Sequence, residues 1–166
     1  MSQTETLAFR RMCRQFRWLA IFMVTSVGAL VAGMAWIFPV LYALTHHEPL
    51  RADRMLAGTI WNLPIICYLF AVWTIGRTLG ELANGRLIQA ALPPALRRVG
   101  IALGVGGLIS VFGVSNLMRL VGHVRGGYLH FDVAGMTLGM IGGALFLLGR
   151  VMDQALAAQA ELDEMI

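Results

Sequence analysis

Of 166 residues, 58% are apolar and 13% charged, and the mean hydropathy is +0.72. Soluble domains carry about 45–50% apolar and about 25% charged residues, so disorder, collagen-like repeats and a disulfide-rich secreted scaffold are excluded and a membrane protein is indicated. The net charge of +4 arises from arginine alone, with no lysine, and the charges sit in short stretches that leave no room for a large soluble catalytic domain.

Four long runs carry no Arg, Lys, Asp or Glu: Trp18 to Thr45 (28 residues), Met55 to Gly76 (22), Val99 to Met118 (20) and Val133 to Gly149 (17). A helix needs about 20 apolar residues to cross a hydrocarbon core of about 30 Å, with about 17 as the lower limit. The first run follows four arginines but is too long for the roughly 7–15-residue core of a signal peptide, and Thr45 to Glu48 is not a small-residue cleavage site. It reads as a retained first span. Within it Pro39 frees the carbonyl of Ala35, and in the second run Pro64 frees that of Ile60. Both prolines should kink the outer half of a span, and Asn62 or Thr59 is near enough in sequence to satisfy the released carbonyl.

The fourth run gives only about 25 Å at about 1.5 Å per residue, so its helix is expected to begin nearer Tyr128 and to leave Asp132 among outer headgroups. Helices are the only spanning structures this pattern fits, because alternating barrel strands are not seen. The expected architecture is an all-α integral membrane protein of one domain over 1–166. Four transmembrane helices at about 18–44, 55–79, 99–118 and 130–149 form a bundle, followed by a tail at 150–166.

Arginine placement orients the chain. Nine arginines (Arg10, Arg11, Arg14, Arg17, Arg77, Arg86, Arg97, Arg98 and Arg150) fall on the side of both termini, against Arg51, Arg54, Arg119 and Arg125 opposite. The positive-inside rule then puts both termini in the cytoplasm, across a bacterial inner membrane. Arginines at span ends anchor to lipid headgroups, so no direct nucleic-acid contact is expected.

Small residues mark helix contacts in lipid. Gly135, Gly139 and Gly143 make two overlapping GxxxG steps in the fourth span, widened by Gly142. Gly100 and Gly104 share that spacing in the third, with Gly106, Gly107, Ser110 and Gly113 further on. These faces pack either within one bundle or against an oligomeric partner. No Asp, Glu, Lys or Arg lies mid-span, which argues against a pump or coupled transporter. Asn62 and Asn116 are expected to hydrogen-bond to each other across the bundle.

All four histidines (His46, His47, His123 and His130) fall on the outer side with Glu48, Asp53 and Asp132. Imidazole and carboxylate together can hold a divalent metal or sense pH, but no pair has i, i+4 spacing, and solvated histidines are the preferred reading. Cys13 and Cys67 share no CxxC spacing, and no GxSxG, HExxH or P-loop is present. No enzyme activity and no cofactor are expected.

On the inner side, Asn84-Gly85 signals a turn and Pro94 suits a helix start with Arg97 and Arg98 at the headgroups. The stretch from Met152 to Ile166 sets Leu156, Leu162, Met165 and Ile166 among acidic and amide residues, as an amphipathic helix continuing from the fourth span. The acidic tail can meet either the basic loop, through residues such as Arg86, Arg97, Arg98, Leu162 and Asp163, or a partner helix.

Three segments, Gly85-Arg86-Leu87-Ile88, Leu96-Arg97-Arg98-Val99-Gly100 and the closing Leu162-Asp163-Glu164-Met165-Ile166, together with the span order, resemble a domain-of-unknown-function family. Its members are small four-span bacterial membrane proteins. Ile88 stands where that family has Phe, and Pro93-Pro94 replaces a polar helical stretch. Family members are often encoded beside a small helix-turn-helix regulator, so the resemblance implies a membrane partner or sensor for a DNA-binding protein. The expected partners are the bilayer and a membrane or cytoplasmic protein, or a second copy. An accessory subunit of a larger complex is the alternative, and a small transporter or channel component the third.

Overall fold

The computed structural model describes residues 3–46, 52–84, 87–121 and 131–164, nearly all helical. They form four rods. The first comprises α1 (Gln3–Ala32), a π-helical turn at Gly33–Ile37 and α2 (Phe38–His46); the second is α3 (Ala52–Ala83). The third comprises α4 (Ile88–Leu108), a second π-helical turn at Ile109–Gly113 and α5 (Val114–Leu120); the fourth is α6 (Val133–Glu164). Each rod contains a stretch long and apolar enough to cross a membrane: Arg11–Thr45, Met55–Ala83, Ala91–Leu120 and Val133–Leu162. This is the architecture of a multi-pass membrane protein.

The two expected kinks differ. Ahead of Pro39 the first rod widens into its π turn, where Phe38 N–H donates to Gly33 O, five residues back, and the wider turn accommodates the ring of Pro39. Through Pro64, by contrast, α3 runs uninterrupted. Asn62 Nδ2 donates to Gly58 O at 2.7 Å and Thr59 Oγ1 to Met55 O at 2.8 Å. A helical side chain reaches back three or four residues, so neither group satisfies Ile60 as the sequence had led us to expect.

Pro93 and Pro94 also lie inside a helix rather than at its start: α4 begins at Ile88, after Leu87 in extended conformation. The carbonyls they release belong to Gln89 and Ala90, in the first turn of α4. Pro93 is fully buried, so packing holds it there.

The rods pack in chain order, first on second, second on third and third on fourth, with the last pair the most extensive. No comparable packing joins the first rod to the third or fourth among the described residues, so the bundle is open. Its core is made of small side chains, including Ala20, Ala71, Ala91, Ala95 and Ala102. This is how helices associate where lipid supplies no hydrophobic drive: backbones approach closely instead. Large side chains such as Trp18, Phe22, Leu30 and Met140 point outward, as they would toward acyl chains.

Candidate functional site

The third and fourth rods meet along a line of near-absent side chains. A Cβ on Gly100 would lie 2.5 Å from Phe146 N and 2.6 Å from Gly142 O, and one on Gly107 would lie 2.5 Å from Gly135 O. On Gly142 it would lie 2.7 Å from Gly100 O and press on Gly104 N; on Gly149 it would lie 3.0 Å from Pro93 O. The obstructing atoms are backbone and cannot turn aside.

The contact positions on α6 are 135, 139, 142, 146 and 149, and those on α4 are 93, 97, 100, 104 and 107. Steps of four and three residues alternate, averaging 3.5, the period of a left-handed helix pair. The four-residue steps read from the sequence therefore follow the contact line only in part. Gly100 and Gly135 lie in it, and Gly139 faces Gly107 at an ordinary 3.7 Å. Gly104 presents its backbone to Gly142, while a Cβ on Gly104 or Gly143 would meet nothing within 4 Å. Gly107, Gly142 and Gly149 lie in the line as well, although no four-residue step selects them, and a search at heptad spacing finds all three.

Along one side of this line the two helices border a groove of about 720 Å³, lined in part by Ile101, Val105, Leu108, Met136, Met140 and Phe146. Every lining side chain is apolar.

At the end of the pair away from the termini lies a polar contact. Ser110 Oγ donates to Asp132 Oδ2 at 2.5 Å. Ser110 belongs to the second π turn, where Val114 N–H donates to Ile109 O and the extra residue lets Ser110 and Val111 both be buried. Asp132 caps α6: Ala134 N–H donates to its Oδ1 at 3.1 Å and Met136 N–H to its carbonyl at 3.0 Å. The fourth helix thus starts at Val133, not near Tyr128, and residues 122–130 lie outside the described residues.

The Ser110 contact also fixes where Asp132 lies along the third rod. Its partner Ser110 is ten residues, about 15 Å, short of Leu120, the end of α5. The carboxylate sits well below the tip of the third rod, because the third rod extends past the start of the fourth. Nearby, Tyr68 of α3 packs on Gly106, where a Cβ would lie 2.6 Å from its ring, and its buried hydroxyl lacks a protein partner among the described residues. The Asn62–Asn116 bond expected across the bundle is not formed: Asn116 Nδ2 donates to Phe112 O at 2.8 Å, within its own rod.

At the opposite end, Arg97 Nη1 donates to Asp153 Oδ2 at 3.2 Å, so the basic connection and the acidic tail do meet. Both side chains are about half exposed, and such a pair contributes at most about 1 kcal/mol. Arg98 and Leu162 are exposed. Arg86 lies outside the described residues, as does the side chain of Asp163.

Between the first and second rods, the Arg17 side chain lies over Gly80, and a Cβ on Gly76 would lie 2.8 Å from that of Ala20. A cleft of about 350 Å³ opens beside them, lined in part by Trp73, Arg77, Glu81 and Asn84. His47, His123 and His130 lie outside the described residues, and His46 ends α2 with its side chain outside them too. Among the described residues no three His, Cys, Asp or Glu side chains are grouped to hold a metal ion. Cys13 is buried, Cys67 half-buried, and both are free. The chain matches no protein-family model, no curated protein and no solved structure.

Proposed function

We propose that this is a non-enzymatic inner-membrane protein with both termini in the cytoplasm, acting through protein contacts as a membrane partner or sensor for a cytoplasmic regulator. The observation that carries the reading is the unbroken α6, whose 32 residues run from Val133 to Glu164. At about 1.5 Å per residue it is about 48 Å long, against a hydrocarbon core of about 30 Å. One stiff element therefore joins the closely packed membrane interface to an amphipathic tail, and Arg97–Asp153 ties that tail to the connection entering the third rod. The excess of arginine on the side of both termini supports the orientation. The family resemblance supports a DNA-binding regulator as partner.

The test is removal of residues 156–166, followed by purification from native membranes in mild detergent and mass spectrometry of what accompanies the protein. The truncated chain should insert normally and lose its cytoplasmic partner. Recovery of the same partner with both chains overturns the reading.

A second reading, an accessory subunit flanking a larger membrane complex, is supported by the first rod. Only 6% of its apolar window is buried, against 33% in the third. In that case substitutions at Trp18 and Phe22 should release the protein from the complex while tail removal does little. A transport role, ranked third, draws support from the Ser110–Asp132 pair alone. It requires that Asp132→Asn abolish a solute flux measurable in liposomes.

A further inference from the structure

We propose that the groove between α4 and α6 is a binding site for one anionic phospholipid. An acyl chain lies along the glycine floor, and the phosphate is held between Arg98 and Arg150. The inference goes beyond the contact role above and does not depend on which side of the membrane the termini face.

The register of the two helices carries it. One position round from the contact line of α4 come 98, 101, 105, 108 and 112, again in steps of three and four. One position round on α6 come 136, 140, 143, 147 and 150. Ile101, Val105, Leu108, Phe112, Met136, Met140 and Gly143 from these two flanks border the groove. Continued toward the termini, each flank ends in an exposed arginine, Arg98 on α4 and Arg150 on α6. The two turns face each other, since a Cβ on Gly149 would lie 2.8 Å from Arg97 Cγ. One helix supplies each arginine, and each lies about one turn beyond the residues that line the groove, Arg98 beyond Ile101 and Arg150 beyond Phe146.

That layout fits a lipid with a negative headgroup. Guanidinium groups bind phosphate oxygens through paired, charge-assisted hydrogen bonds, and basic sites between membrane helices hold anionic headgroups. Arg97 is engaged by Asp153, which leaves its neighbour on the groove flank to face the headgroup layer. The groove volume of about 720 Å³ falls in the roughly 300–1,000 Å³ range of small-molecule sites. Charge also argues against a second copy as the occupant. A two-fold axis along the membrane normal would set Arg98 and Arg150 against the same arginines of the other copy, like charge on like.

The glycines separate binding from folding. Both glycines line the groove and a Cβ on either meets nothing within 4 Å, so Gly104→Leu with Gly143→Leu puts side chains into the groove without a Cβ pressing on the facing helix. Full-length protein, stripped of lipid in detergent, is titrated with phosphatidylglycerol, phosphatidylcholine and free glycerol phosphate, and bound species are read by native mass spectrometry.

The wild-type chain should retain one phosphatidylglycerol at least tenfold more tightly than phosphatidylcholine, and glycerol phosphate not at all. Arg98→Gln with Arg150→Gln should abolish the preference between the two lipids, and the double leucine variant should retain neither. Equal retention of both lipids by wild type overturns the proposal, as does an unchanged preference in the arginine variant. A wild-type dimer that the leucine variant converts to monomer also overturns it, by assigning the groove to a second copy. Should the leucine variant misfold, the arginine variant decides alone, because both arginines are exposed and outside the contact line.

Discussion

Gly142 sits where two backbones touch, and one methyl group there has nowhere to go. Gly142→Ala must push α4 and α6 apart by its own radius, disturbing every contact along the line. The expected loss is about 1–3 kcal/mol, the usual penalty for overpacking. Gly104→Ala adds the same methyl to open space and gains the better helix propensity of alanine, so it should leave stability unchanged or raise it by up to about 1 kcal/mol. Thermal unfolding in detergent, followed by circular dichroism, separates the two variants. Identical melting would mean that the contact line is not where the helices are held. That glycine pairs these helices is legible in the sequence, but which glycines do so emerges only at heptad spacing, not at the four-residue step. A four-residue step is visible in the letters Gly135, Gly139 and Gly143, whereas the alternation that selects Gly142 and Gly149 comes from the crossing of two helices.

At the scale of elements, Asp132 caps the start of α6. Its carboxylate accepts from Ala134 N–H as a cap and from Ser110 Oγ as a cross-helix bond. Asp132→Asn keeps one oxygen to accept from Ala134 N–H, and its amide nitrogen can donate to Ser110 Oγ in place of the second acceptor, so it should change little. Asp132→Ala removes the cap, at about 1 kcal/mol, and strands the Ser110 hydroxyl, at about 1–3 kcal/mol. Hydrogen exchange at the amides of Ala134 and its neighbours should accelerate in the alanine variant and stay slow in the asparagine variant. Equal exchange in both would remove Asp132 as the cap.

The span boundaries were readable because charge ends an apolar run: α6 begins at Val133, the first residue after Asp132. The fourth helix needs no outward extension toward Tyr128 to gain length. The extra length comes from the other end, where α6 continues to Glu164. The depth of Asp132 was not readable, because it depends on how far the third rod extends past the fourth. Pro93 and Pro94 misled for a related reason: alone they signal a helix start, but Pro93 is held inside the helix by burial, with its carbonyl against Gly149.

For the whole molecule, the open row means that orientation rests on charge and not on closure of the bundle. The proposed topology places the connection after α3 inside and the end of α5 outside. In a chain with Cys13→Ala and Cys67→Ala, a membrane-impermeant maleimide applied to intact cells should label Leu120→Cys and spare Asn84→Cys; both positions are exposed. The reverse pattern would invert the protein and move the tail out of reach of any cytoplasmic partner.

The unbroken fourth helix also sets a mechanical ratio. From Gly142, near the middle of its contact line, to Glu164 is 22 residues, or about 33 Å of stiff rod. With the glycine contact as fulcrum, a tilt of about 10° carries Glu164 sideways by about 6 Å, while atoms at the fulcrum hardly move. A rearrangement too small to separate α4 from α6 in the bilayer is thereby magnified into a displacement as wide as one turn of helix at the tip. Arg97–Asp153, three turns below the fulcrum, acts as its latch.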